Sequence, residues 1–171
     1  MRLYTMNDTM EQFLKAYDGL SDAIFRHCYF RIGDRERAKD LMQDTFVKTW
    51  QYISQGKKVD NLKSFLYRVA NNLIIDEYRK KKESSLDTMM ADGFDPGFDD
   101  RKKNEQAIDA KQVIDTINQL DEKYREVILM RYIDELSPKE IAEITRENEN
   151  NVSVRLHRGL KQLKEILNEN E

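Results

Sequence analysis

Apolar residues recur every three or four positions over long stretches, so the chain reads as a succession of amphipathic helices. Phe13, Tyr17, Leu20, Ile24 and Cys28 form one stripe, and Gly33 ends it. Asp34 stands where a second helix needs its N-cap, and Ala38, Leu41, Thr45, Phe46, Thr49, Trp50 and Ile53 supply that helix with a buried face. The opposite stripe, Asp40, Gln43, Asp44 and Lys48, is polar. A loop from Gln55 to Asp60 carries Gly56, Lys57 and Lys58, after which Asn61 caps a third helix with Leu62, Leu66, Val69, Leu73 and Ile74 inside. That helix ends in the basic run Arg79 to Lys82. The helix macrodipole favours cations at a C-terminus, so a solvated helix end explains the run as well as a binding surface does.

The pattern resumes with a helix carrying Ile108, Val113, Ile114, Ile117 and Leu120, then one carrying Tyr124, Val127, Ile128 and Tyr132. Ser137-Pro138-Lys139-Glu140 is a helix start: Ser137 and Glu140 can exchange side-chain to backbone bonds, and Pro138 sits where a missing donor does no harm. The short helix buries Ile141, Ala142 and Ile144. A polar turn, Arg146 to Asn150, leads to a last helix beginning near Asn151 with Val152, Leu156, Leu160, Leu163 and Leu167 inside. Arg155, Arg158, Lys161 and Lys164 fall within Asn151 to Lys164, a stretch without an acid. Two helices, a short turn, a small residue at Ala142 and a basic second helix fit a helix-turn-helix DNA reader. On pattern alone, an ordinary helical hairpin with a basic solvent face remains the competing account.

Composition supports helix throughout. The 171 residues include six Gly and two Pro, and no hairpin signal interrupts the periodicity, which predicts an all-α fold. The net charge of −3 conceals an uneven distribution. Residues 1–82 hold 16 basic against 11 acidic side chains, 83–100 hold six acidic and no basic ones, and 101–171 hold 13 against 15. Residues 83–103 therefore read as a flexible acidic linker between two small helical domains, 1–82 and 104–171. Some 20 residues can span about 65 Å when extended, so the two domains can sit on separated parts of one target.

Several classes of function are disfavoured. No apolar run approaches the ~18 residues of a membrane span, and the start, Met1 to Tyr4, lacks a secretory apolar region, which predicts a cytoplasmic protein without membrane insertion. Cys28 has no second cysteine to pair with, and His27 and His157 lie too far apart to suggest a zinc site. Nucleophile and base motifs, phosphate-cradling glycine loops and metal-ligand clusters are missing, so neither catalysis nor a cofactor is expected.

Three runs carry a family resemblance. Asp40-Leu-Met-Gln-Asp-Thr-Phe46, the run Ser64-Phe-Leu-Tyr-Arg-Val-Ala-Asn-Asn-Leu-Ile-Ile-Asp-Glu-Tyr-Arg-Lys80, and the stretch Leu120 to Leu163 with Tyr-Arg-Glu-Val-Ile-Leu-Met-Arg-Tyr and Arg-Leu-His-Arg together resemble the extracytoplasmic-function branch of the bacterial sigma-70 family. Each motif is moderately specific, and their order around an acidic linker is highly so. The resemblance implies a region 2 helical bundle for the minus-ten element and a region 4 helix-turn-helix for the minus-thirty-five element. The implied partners are promoter DNA, an anti-sigma regulator, and core RNA polymerase through the clamp coiled coil of its largest subunit and the flap of its second largest.

The same resemblance distributes roles over individual residues. Asp40, Gln43, Asp44 and Lys48 correspond to the clamp-binding surface. Lys57, Lys58, Lys63, Arg68 and Arg79 supply cations for a DNA strand, and the loop Gln55 to Asn61 matches the family's specificity loop. Asn71 and Asn72 carry paired donors and acceptors for base edges, with Asn72 at the family's asparagine position. Phe65 and Tyr67 could both stack on bases, although an aromatic at helical spacing is more often core, and for Phe65 the core reading is favoured. In the last helix, base-facing positions fall on Ser153, Val154, His157 and Arg158, with Asn151 at the start, Arg155 near phosphate and Lys161 beyond. Arg158 suits guanine and Val154 a thymine methyl. The turn departs from the family: Arg146 stands where Gly is usual, Glu147 where an apolar residue is usual, and Ser153 replaces a common basic residue. A non-Gly residue in a left-handed conformation costs on the order of 1 kcal/mol, so a turn of different shape is expected. A stand-alone repressor using the same helix-turn-helix and a protein-binding adaptor are the readings from other classes.

Overall fold

The computed structural model describes residues 6–85 and 113–169, all helical apart from short connections. The chain divides into two compact units, Met1–Phe94 and Asp95–Glu171. The acidic linker expected at 83–103 falls outside the described residues from position 86 onward; its first three positions belong to a helix.

The N-terminal unit packs α1 (Met6–Ile32), α2 (Arg35–Ser54) and α3 (Leu62–Ser85) pairwise against one another. Gly33 ends α1 at φ 74°, a left-handed conformation that only glycine adopts without strain, and its N–H reaches the Tyr29 carbonyl at 2.9 Å. One residue later Asp34 caps α2 as its position predicts, accepting from the Arg37 N–H at 2.8 Å. Asn61 does the same for α3, with its side chain accepting from Ser64 N–H. Ile24, Cys28, Ala38, Leu41, Phe46, Leu66, Ala70 and Ile74 form the core. Thr45 and Thr49 are buried without strain because each hydroxyl donates to the carbonyl four residues earlier. The Phe46 ring sits edge-on to Phe13 and Tyr17, while Trp50 and Ile53 are half-buried. Tyr17, expected inside, keeps 39% of its surface in solvent because it lies at the rim of this aromatic cluster. Arg37 clips α2 to α3 by a bidentate pair, Nε to Glu77 Oε1 at 3.0 Å and Nη2 to Oε2 at 2.7 Å.

The C-terminal unit holds a helical stretch at 113–118, here α4, then α5 (Glu122–Tyr132), α6 (Pro138–Thr145) and α7 (Glu149–Glu169). Val127, Ile128, Leu129 and Met130 are all buried, so α5 is enclosed on every side at its centre. Ser137 and Glu140 form the capping box in full and Pro138 starts α6. Gly159 lets α7 cross α5 closely: a Cβ there would lie 3.0 Å from Ile128 Cγ1 and 3.2 Å from Tyr124 Cβ. The helix starts at Glu149, two residues before the expected position, because the Asn148 side chain accepts from Asn150 N–H at 2.7 Å and its carbonyl from Val152 N–H. Leu160 and Leu167, expected inside, are 38% and 44% exposed. Val113 and Tyr132 are exposed as well, and Ile108 lies outside the described residues.

Candidate nucleic-acid interface

Helical periodicity sorts the candidate residues onto three surfaces. On α2, Asp40, Gln43, Asp44 and Lys48 are all exposed, as their spacing requires, with Asp40 held loosely by Arg37 at 3.8 Å. Val47, 53% exposed, stands among them. An apolar side chain inside a polar stripe carries no periodic signal of its own, which is why the pattern did not single it out.

The second surface joins the α2–α3 loop to the outer face of α3. Lys57 and Lys58 are exposed, and Gly56 makes the turn at φ 77°. Lys57 Nζ lies 4.9 Å from the Tyr52 ring centroid, Tyr52 packs on Phe65 with centroids 4.8 Å apart, and the Arg68 guanidinium lies 5.7 Å from the Phe65 centroid. Two cations thus flank two half-buried rings, an arrangement able to hold a base by its face and a phosphate by charge. Along α3, Lys63 and Asn71 are half-buried, whereas Asn72 and Arg79 are exposed. Arg79 is tethered to Asp76 at 2.8 Å, a pair in which both members remain largely in solvent. Ile75, 61% exposed, lies one turn beyond Asn72.

One expectation on this surface is reversed. Tyr67 is 1% exposed, with its ring edge-on to His27 at 5.0 Å, and has no face to offer a base. Phe65 takes the surface place. Both positions lie near the boundary of the apolar stripe, where a helical period cannot decide between neighbours; the packing of α3 on α1 turns Tyr67 inward.

The third surface is α7. Asn151, Ser153, Val154, His157, Arg158 and Lys161 are exposed and fall on one side of the helix, with Val154 41% exposed. Ser153 Oγ donates to the Glu149 carbonyl at 3.0 Å. Arg155, expected near phosphate, is half-buried and bonded within the unit: its guanidinium donates through Nε to the Lys123 carbonyl at 2.9 Å, through Nη2 to the same oxygen, and through Nη1 to Glu147. It ties α7 to the first turn of α5 and to the turn before α7. Arg146 adopts φ 57°, ψ 38°, the left-handed conformation itself, so the turn keeps the shape that glycine would give and carries the strain instead. Glu147, in place of an apolar residue, is the partner that Arg155 needs.

The hydrogen bond from Arg37 holds the Glu77 carboxyl below the usual glutamate range despite partial burial, and Glu77 in turn raises Arg37. Among the described residues no group of His, Cys, Asp or Glu could hold a metal ion, and no helix is long and apolar enough to cross a membrane.

Known proteins share this organisation. The model for sigma-70 region 2 matches residues 16–84, and that for sigma-70 region 4 matches residues 110–163. The chain is 33% identical over 175 residues to the ECF RNA polymerase sigma factor SigW of Bacillus subtilis, covering 92% of this chain and 89% of that protein. It is 24% identical to the ECF RNA polymerase sigma factor BldN of Streptomyces coelicolor, covering 92% of this chain and 61% of that protein. In fold it is similar to the sigma factor RpoE of Bartonella quintana, solved with the anti-sigma factor NepR, at a TM-score of 0.76 and 20% identity over 92% of this chain and 98% of that one. CnrH, solved with the cytosolic domain of CnrY, gives a TM-score of 0.70 at 20% identity over 95% of this chain and 91% of that one. Two region models in the expected order, together with a relative of this similarity along nearly the whole length, establish that the chain belongs to the extracytoplasmic-function branch of the sigma-70 family, whose members act in transcription initiation.

Proposed function

We propose that the chain binds core RNA polymerase and directs it to promoters bearing a minus-ten and a minus-thirty-five element, with residues 1–82 and 104–171 as the two readers and 83–103 as their tether. The observation that carries this reading is the Lys57, Tyr52, Phe65 and Arg68 cluster, which pairs ring faces with cations beside the exposed Asn72. Such a surface suits unstacked single-stranded bases and gains little from an intact duplex. The exposed carboxylates Asp40 and Asp44 with Gln43, Lys48 and Val47 suit a cationic helix with apolar positions, the chemistry expected of the clamp coiled coil. On α7, the exposed Arg158 suits a guanine edge, Val154 a thymine methyl, and Asn151, His157 and Lys161 neighbouring bases and phosphates. The flap of the second-largest subunit and an anti-sigma protein complete the set of partners.

Affinity follows from charge. A chain of net charge −3 with its cations divided between two surfaces neutralises few phosphates at once, so its own affinity for duplex DNA is weak. Docking on polymerase holds both readers at fixed spacing and raises the effective concentration of the second once the first is bound. Run-off transcription with core polymerase on genomic fragments tests the reading: discrete start sites that require the chain are expected, and silence on every fragment contradicts it. Tight binding to one duplex site without polymerase favours a repressor instead.

A further inference from the structure

His27 is fully buried inside the N-terminal bundle, where nothing in the apolar stripe of α1 calls for a titratable ring. Its Nε2 lies 2.7 Å from Asn71 Oδ1, 44 residues away on α3. Its ring stands edge-on to Tyr67, and its carbonyl accepts from Arg31 Nη1 at 2.9 Å, so neither the ring plane nor the backbone is free to turn. An amide oxygen carries no hydrogen; the Nε2 of His27 must therefore be the donor, in the neutral ring or the charged one.

A free asparagine can present either its oxygen or its NH2 to a ligand by flipping. Asn71 can do so only if the buried His27 shifts its proton from Nε2 to Nδ1, since otherwise a flip leaves that N–H facing two hydrogens. With Oδ1 drawn inward, the NH2 on the other arm of the planar amide points toward the half-exposed side of Asn71, beside Asn72 and one turn from Arg68 and Ile75. We propose that buried His27 is a positioning residue which pins the Asn71 carboxamide so that it offers DNA only donors, selecting a base with an acceptor edge next to the one met by Asn72. This rests on the reading of α3 as the minus-ten surface. The atom met must be an acceptor, so guanine O6 or thymine O4 is admitted at that place on the edge, and the amino group that adenine or cytosine carries there is refused.

The test uses the chain assembled with core polymerase on a promoter whose start site has been mapped, with each minus-ten position replaced in turn by the other three bases, and reads open-complex formation. Asn71→Asp keeps an acceptor for His27 but puts an oxygen where the NH2 was. It is expected to lower open-complex formation about five- to ten-fold at one position, and to shift preference there toward an amino-bearing base. His27→Leu releases the amide and flattens the preference at that same position, while His27→Gln, which retains an N–H donor, restores it. A loss with Asn71→Asp that is equal at every position, as plain charge repulsion gives, overturns the proposal. So does a His27→Leu chain that melts normally, binds core polymerase and keeps the full preference. If His27→Leu does not fold, the Asn71→Asp panel decides alone. Asn72→Ala separates the two levels: if it loses base discrimination while Asn71→Asp does not, only the role of His27 fails, whereas a wild-type chain that shows no discrimination with core polymerase removes the functional reading beneath it.

Discussion

Replacing Arg155 by alanine separates an internally bonded cation from the exposed ones on the same helix. The Arg155 side chain is 22% exposed, bonds the Lys123 carbonyl through two nitrogens, and pairs with Glu147, itself 32% exposed. A hydrogen bond from a charged donor contributes roughly 1.5–3 kcal/mol, and the low end applies to bonds as exposed as these. The ion pair, partly open to water, adds nearer the 0.2–1 kcal/mol of surface pairs. Arg155→Ala is therefore expected to destabilise the C-terminal unit by about 2 kcal/mol, which in a unit this small lowers Tm by about 8–16 °C. Arg158→Ala, on the exposed face, should alter stability by less than about 0.5 kcal/mol. It should instead weaken promoter binding and, where it meets phosphate, reduce the slope of log affinity against log salt by about 0.9. Thermal unfolding of the full chain gives the first quantity, and salt titration of promoter binding by the polymerase complex gives the second. If Arg155→Ala melts with the wild type while its salt slope falls by about one, Arg155 is a phosphate ligand and its role in tying α7 to α5 is wrong.

Three further outcomes follow from the same geometry. Arg146→Gly relieves a left-handed φ of 57° and should stabilise the chain by up to about 1 kcal/mol, read as a rise in Tm, with the base preference of α7 unchanged. Tyr67→Ala should cost about 3–5 kcal/mol of stability as a core truncation; Phe65→Ala should leave the fold largely intact but weaken binding to minus-ten single strand by roughly 1–3 kcal/mol, measured by urea unfolding and by strand binding in the polymerase complex. Because Arg37 lowers the Glu77 carboxyl on folding, that pair contributes stability above the unfolded glutamate value of about 4.3, and loses it as pH falls through the lower folded value. Glu77→Gln should therefore flatten the acid limb of stability against pH below about 4.3, and an unchanged limb would show that other carboxyls carry it.

Local signals were read correctly where one residue type answers one local demand. Gly33, Asp34, Asn61 and the Ser137 to Glu140 box each end or start a helix through bonds within four residues, and the structure forms all of them. The exposed stripes of α2 and α7 were equally legible, because polar spacing on an amphipathic helix fixes which side meets water. What escaped depends on contacts distant in sequence. Tyr67 turns inward because α1 supplies His27 there, and Arg155 is tied back to the Lys123 carbonyl, 32 residues earlier. Val47 and Ile75 are apolar on polar faces, so periodicity gave no reason to mark them. The turn at Arg146 was expected to change shape. A left-handed arginine persists instead, alongside the tie of Glu147 to α7 by Arg155.

Permanganate reactivity of minus-ten thymines on a mapped promoter, measured with the chain alone, core polymerase alone and the two together, bears most directly on the claim that two weak readers act only when a polymerase aligns them. Reactive thymines are expected in the combined sample and in neither component. Thymines opened by the chain alone, or left protected in the mixture, would contradict it.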